Sequence, residues 1–131
     1  MSDSLVDQFE TSVLTYLFTT NTPSPARPTA WYIGLHTSAP TDNTESGEVS
    51  GNGYARQSAA FTVSGNQATN SATINFPAAS GNQGTITHAS VHSASSGTGN
   101  MIAYAALSNS KTIETNDVLQ LAASQLTITL T

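Results

Sequence analysis

Between Trp31 and Gln57 the chain reads WYIGLHTSAPTDNTESGEVSGNGYARQ, so His36, the carboxylates of Asp42, Glu45 and Glu48, and Arg56 all fall within one short span. A histidine beside carboxylates is the raw material of general acid–base catalysis. That chemistry needs the groups held on a rigid frame within hydrogen-bond reach of each other and of a substrate. Here His36 ends an apolar run, and the three acids lie in a Gly-, Ser- and Thr-rich connection that no helical or strand period orders. These residues therefore favour an architectural reading over a catalytic one: a strand, a solvated loop, and Glu48 paired with Arg56 across the turn that follows.

Two other groupings have donor atoms of the right kind. The loop DNTESGE offers hard oxygen donors for a calcium ion, but it lacks the D-x-D-x-D-G spacing, the closing glutamate and the flanking helices of an EF-hand. In TITHASVHS, alternation puts His88 and His92 on one strand face with Ile86 and Ser90. Four residues of strand separate the two imidazoles by roughly 13 Å, too far for one metal ion without a bend. Two partly buried histidines satisfied by hydroxyls or backbone carbonyls is the simpler account. The sequence has no phosphate-binding glycine loop, no G-x-S-x-G and no H-E-x-x-H. Its serines have no recognisable base partner, and Trp31, Tyr32, Tyr54 and Tyr104 read as core residues spread through strands.

The elements that must position these residues fall into two parts. From Leu5 to Phe18 the spacing predicts an amphipathic helix, with Leu5, Phe9, Val13 and Leu17 on one stripe that Val6 and Tyr16 widen. Ser4 and Asp7 resemble a capping box, and Asp3, Asp7 and Glu10 suit the positive end of the helix dipole. Prolines 23, 25 and 28 then mark an extended linker, so residues 1–29 form a helix and Pro-rich linker ahead of a β-domain over residues 30–131. Strands are expected at 30–36, 54–63, 68–76, 85–93, 101–107, 112–113, 118–122 and 126–130, separated by turns rich in Gly, Asn and Ser. Seven to eight short strands in this pattern predict a mainly β fold, an antiparallel β-sandwich or jelly roll with an N-terminal α-helix. Many of the positions expected inward are alanine, notably Ala59, Ala60, Ala72, Ala103, Ala105 and Ala106, which makes the core thin, because the hydrophobic term scales with buried area. Burial against other chains would supply what such a core lacks.

Composition narrows the function. A chain of 131 residues has room for one core. Only 8% of residues are charged, against roughly a quarter in an ordinary domain, while Ser and Thr fill roughly three positions in ten. The net charge of −5 leaves Arg27, Arg56 and Lys111 as the cations, too few to displace counterions from DNA or RNA, so no nucleic-acid partner is expected. There is no cysteine, hence no disulfide, thiolate metal site or cysteine nucleophile. The acidic start MSDSLVDQFE does not read as a secretory leader, and no window reaches the roughly 20 apolar residues of a membrane span. A soluble chain made in the cytosol is expected, with no cofactor or metal.

The run WYIGLHTSAPT followed by EVSGNGYARQ resembles a family of small tailed-phage virion proteins, often labelled tail fibre proteins, which carry Y-x-A-L-H-T-x-x-P-T and E-x-x-G-x-x-Y-x-R. The matching positions are His36, Thr37, Pro40, Glu48, Gly51, Tyr54 and Arg56. The stretches GTITHASVHS, GNMIAYAALSNSKTI and DVLQLAASQLTITL are similar to that family too, so the resemblance covers nearly everything from Trp31 onward and the helix before it. His92 and Ser93 stand where an aromatic and an aspartate are expected, and Gln83 where a tryptophan often precedes Gly-Thr. The resemblance implies a part without catalytic residues: a capsid cement or decoration protein on the capsid surface, trimeric, with the major capsid protein as its partner. Phe9, Val13 and Leu17 of the helix stripe are the candidate interface residues, to pack on this domain, on a sister subunit or on the shell. The resemblance also allows a tail-fibre or tail-adaptor module that binds a host surface receptor. A glycan hydrolase would need two carboxylates about 5 to 10 Å apart across a cleft, and the sequence places no pair among Asp42, Glu45, Glu48, Glu114 and Asp117 in that way.

Overall fold

The computed structural model describes residues 5–130. One helix, α1 (Asp7–Phe18), precedes β1 (Trp31–His36), β2 (Gln57–Ala59), β3 (Phe61–Ser64), β4 (Gln67–Asn70), β5 (Ile74–Asn75), β6 (Gly84–His92), β7 (Met101–Ile113), β8 (Gln120–Leu121) and β9 (Thr127–Thr129). The strands form a four-stranded sheet β2-β1-β6-β7, a three-stranded sheet β3-β4-β9 and a pair β5-β8, with every pairing antiparallel. The fold is mainly β, a β-sandwich preceded by one helix.

The core explains why the strands lie as they do. Ile33 and Leu35 of β1 pair with Val91 and Ala89 of β6. All four are buried in one cluster with Val49, Ile74, Phe76, Ile86, Ile113, Leu119 and Leu126, so the three sheets share a single apolar interior. In β1 and β6 the residues between these are Gly34, His36, Ser90 and His92, which period-2 alternation sends to the opposite face.

Several boundaries differ from the expected ones. The run 54–63 divides between two sheets, because β2 pairs with β1 whereas β3 pairs with β4. The run 68–76 also divides, and 101–107 merges with 112–113 into one long β7. Nine strands thus replace the expected seven to eight among the described residues. β7 hides its length from sequence reading because Leu107 to Ser110 bulge opposite the single residue Thr87. Of the alanines expected inside, Ala103 is buried and Ala59 and Ala105 are half-buried, but Ala60, Ala72 and Ala106 are exposed. The core is built from branched and aromatic side chains instead, with Ala79 and Ala89 filling gaps.

The helix is rotated from the predicted stripe. Val6, Phe9 and Ser12 are its buried residues, and Val6 and Phe9 pack on Met101. Val13 is half-buried, while Leu17, on the same predicted stripe, is 60% exposed and Tyr16 is 73% exposed. Val6 occupies the N-cap without a side-chain cap, and Ser4, the expected capping residue, lies outside the described residues. The rotation follows from two anchors. Leu5 bridges to Ala103 and the Val6 amide donates to the Ile102 carbonyl at 2.9 Å, which covers the outer edge of β7 where it begins. The linker then folds back, and the Ser12 hydroxyl donates to the Pro25 carbonyl at 2.6 Å.

Candidate functional site

The polar face of β1 and β6 is not solvated. His36 and His92 are 0% exposed and Ser90 is 1% exposed. Two connections roof them: the loop after β1, which returns so that Glu48 bridges to His36, and the loop between β6 and β7. The side chains form a continuous hydrogen-bonded chain. His36 Nδ1 lies 2.8 Å from the Ser46 carbonyl, His36 Nε2 lies 2.8 Å from Ser90 Oγ, and Ser90 Oγ lies 2.7 Å from His92 Nε2. His92 Nδ1 lies 3.0 Å from Asn100 Oδ1, and the two imidazole rings are parallel to within 5° with centroids 6.4 Å apart.

Arg56 closes the cluster. Its Nε and one terminal nitrogen donate to the two oxygens of Glu48, each at 2.8 Å. Its remaining hydrogens go to Asn100 Oδ1 at 3.0 Å and to the carbonyls of Ala94 at 3.1 Å and Gly97 at 2.8 Å. All five donors of the guanidinium fork are used. Tyr54 donates to Glu48 at 2.6 Å and accepts from the Leu35 amide at 3.0 Å, so the carboxylate is tied to β1 as well. Glu45 accepts from the Gly99 amide through Oε2, which joins the two roofing loops directly. Its Oε1 is buried without a hydrogen bond, 3.2 Å from His92 Nδ1.

Burial opposes the charge on Glu48, but hydrogen bonds from Arg56 and Tyr54 outweigh it and hold the carboxyl below its ordinary pKa. Burial and the hydrogen bond to Glu48 push Tyr54 up. Burial lowers both roofed histidines, His92 to about 4 with Arg56 adding to the effect. The consequence for stability has a definite sign. Below the ordinary histidine value of 6.5 the unfolded chain binds a proton that His92 in the folded chain refuses until about pH 4. Stability is full above pH 6.5 and falls toward pH 4, by about 3 kcal/mol from His92, with Glu48 adding to the loss below 4.5. Denaturation midpoints at pH 7.5, 6 and 5 should decline in that order, and a midpoint that rises with acid would contradict this assignment.

Gly34 lies directly beneath the chain. A Cβ there would come 2.7 Å from Ser90 Oγ, 3.0 Å from Glu48 Oε2 and 3.1 Å from His92 Nε2. Gly34→Ala is expected to destabilise by about 1–3 kcal/mol through overpacking. Wild-type stability of this variant by urea denaturation would show that the cluster has room to spare.

Of the residues singled out in the sequence, His36, Glu48, Tyr54 and Arg56 come together in this cluster. Pro40 is buried, while Thr37 is exposed and Gly51 is exposed with φ +76°, so both belong to the connections. The Glu48–Arg56 pair expected from the sequence is present, but the expectation of a solvated loop is corrected. Glu45 and Glu48 are half-buried and face inward, because the loop is pulled over the sheet by the Thr37 amide bond to the Gly47 carbonyl at 2.9 Å and by the Arg56 clamp. Asp42 is exposed and accepts from Tyr104 at 3.1 Å. His88 takes a separate partner, Thr87 Oγ1 at 2.8 Å. Ser90, His92 and Asn100 were missed as members of the cluster. The visible signal was the repeated apolar-polar alternation of Ile33-Gly34-Leu35-His36 and Ala89-Ser90-Val91-His92.

A histidine–serine–histidine chain beside two carboxylates has the groups of a hydrolase, but here each is buried against the others. Among the described residues no group of three or more His, Asp or Glu could hold a metal ion, and no helix is long and apolar enough to cross a membrane. A cavity of about 800 Å³ is an open groove between β7 and residues 117–127, and its charged lining residues are Lys111 and Asp117. Cavity and titratable cluster do not coincide. A family model described as Podophage GP4 fiber I protein gp80 matches residues 4–129, and no curated protein matches the chain.

Proposed function

From the premise that the chain belongs to the podophage GP4 fiber I protein gp80 family, a family of phage fibre-type virion structural proteins, we propose that it is a non-enzymatic cement or decoration part of the capsid. In this reading it sits on the capsid surface as a homotrimer and stabilises the shell of major capsid protein. The observation that carries the reading is an unmatched apolar ridge. Leu14, Leu17 and Phe18, spaced i, i+3 and i+4 on α1, are 58%, 60% and 77% exposed, with Tyr16 beside them at 73%. On a chain with so few charges, a ridge of this kind supports contact with another protein surface. Weak contacts of this sort gain strength by repetition over a shell. Of the candidate interface residues, Leu17 belongs to this ridge, whereas Phe9 packs on the protein's own β7 and Val13 is half-buried.

The test is co-sedimentation of the purified protein with capsids assembled without it. Saturable binding that Leu14→Ser and Phe18→Ser weaken at least tenfold, with melting temperature unchanged, is the expected result. No affinity for such capsids would overturn the proposal. The word fiber in the family description favours a second reading, a tail-fibre or adaptor module that binds a host receptor. That reading predicts binding to host cells or isolated tails instead of capsids.

A further inference from the structure

The hydrogens in the roofed cluster can be counted. The Ser46 carbonyl only accepts, so His36 Nδ1 must carry a hydrogen. Asn100 is oriented by Arg56, which donates to its Oδ1, so that His92 Nδ1 faces two acceptors, Asn100 Oδ1 at 3.0 Å and Glu45 Oε1 at 3.2 Å, and must also carry one. The two Nε2 atoms then face the single hydroxyl of Ser90 from either side, at 2.8 and 2.7 Å. Two neutral imidazoles and one hydroxyl hold three hydrogens for these four contacts. One N···O contact therefore pairs lone pair with lone pair until a fourth hydrogen arrives.

We infer that His36, Ser90 and His92 form a binding site for one extra proton, shared between the two imidazoles across the serine hydroxyl and balanced by the Glu45 carboxylate. With the proton in place, one Nε2 donates to Ser90 Oγ and the hydroxyl donates to the other, so every contact carries a hydrogen. The charges that face the site set its character. Glu45 and Glu48 approach from the loop after β1, Arg56 and the Tyr54 hydroxyl from the segment before β2, and His88 lies on β6 itself. With both acids ionised, Glu45, Glu48 and Arg56 sum to one negative charge, which one imidazolium cancels and two would exceed. Burial works against any charge here, so the proton enters only below the ordinary histidine range, and a second does not follow while the fold persists. The chain ends on the Ser46 carbonyl in one roofing loop and on Asn100 at the end of the other, which ties proton uptake to the position of both loops.

Histidine side-chain NMR of the full-length protein between pH 7.5 and 4 tests this. The His36 and His92 ring signals should move together in one step that accounts for a single proton, while amide dispersion is retained. In His92→Gln, Ser90 can donate to His36 without a further proton, so the His36 step should disappear. Glu45→Gln should move the shared step to lower pH by about one unit through loss of the facing charge. Two independent one-proton steps, no step before the amide dispersion collapses, or a His36 step unchanged in His92→Gln would each overturn the inference.

Discussion

Arg56→Ala is expected to cost about 3–5 kcal/mol, the range for breaking one side of a buried ion pair. Against the roughly 5–15 kcal/mol by which domains are stable, that is enough to leave a substantial unfolded fraction. The Arg56 side chain is 4% exposed and that of Glu48 is 21% exposed, so removal of the guanidinium strands a carboxylate in a site with little water. It also orphans the carbonyls of Ala94 and Gly97 and loosens Asn100, which positions His92. Arg56→Lys should recover only part of the loss, because an ammonium cannot reach Glu48 by two parallel bonds and the three other oxygens at once. Glu48→Gln removes the opposite partner, and a double-mutant cycle should give a coupling energy well above that of a surface pair. An Arg56→Ala protein within 1 kcal/mol of wild type by urea denaturation would show that the clamp is ornamental to stability.

Asn70→Ala should be nearly as damaging, by about 3 kcal/mol, since each stranded buried polar group costs about 1–3 kcal/mol. Asn70 is 0% exposed at the end of β4. Its amide nitrogen donates to the carbonyls of Ala72 and Ala122, both at 2.9 Å, and its Oδ1 accepts from the Leu126 amide at 2.9 Å. One side chain thus fastens the departure toward β5 to the connection between β8 and β9, where the sandwich has few strand hydrogen bonds of its own. Asn70→Asp keeps the acceptor but turns a carboxylate against two carbonyls, and should be at least as destabilising as alanine. Amide exchange at Leu126 gives the local reading: it should quicken in both variants ahead of Ile33 and Leu35, and unchanged protection would contradict the assigned role.

These two side chains mark where legibility in the sequence ends. Alternation set Ser90 and His92 on one face of β6, but it placed Ile86 with them, whereas Ile86 is buried with Ala89 and Val91 because the register shifts between Ile86 and His88. The Glu48–Arg56 pair was read from opposite charges across one turn, eight residues apart, and periodicity located the helix. Neither signal showed that the polar face is roofed. That depends on the register that sets Gly34 against Ser90 and on a loop that returns Glu48 to His36, and both are contacts between distant segments. Asn70 read as one amide among many in a hydroxyl- and amide-rich chain, because its three partners lie 2, 52 and 56 residues away. The helix stripe ran by spacing of four from Leu5 through Phe9 and Val13 to Leu17, and spacing alone does not say which of these face the domain. Docking through Leu5 and Val6 onto β7 decided the matter by turning Phe9 inward and leaving Leu17 and Phe18 outside.

Copy number and position in purified virions, measured by quantitative mass spectrometry together with a cryo-EM map, bear most directly on the proposal that this is a capsid part. Many copies spread regularly over the shell, with α1 turned toward the major capsid protein, is the predicted result. A handful of copies confined to the tail would contradict it and make the protein a fibre or adaptor.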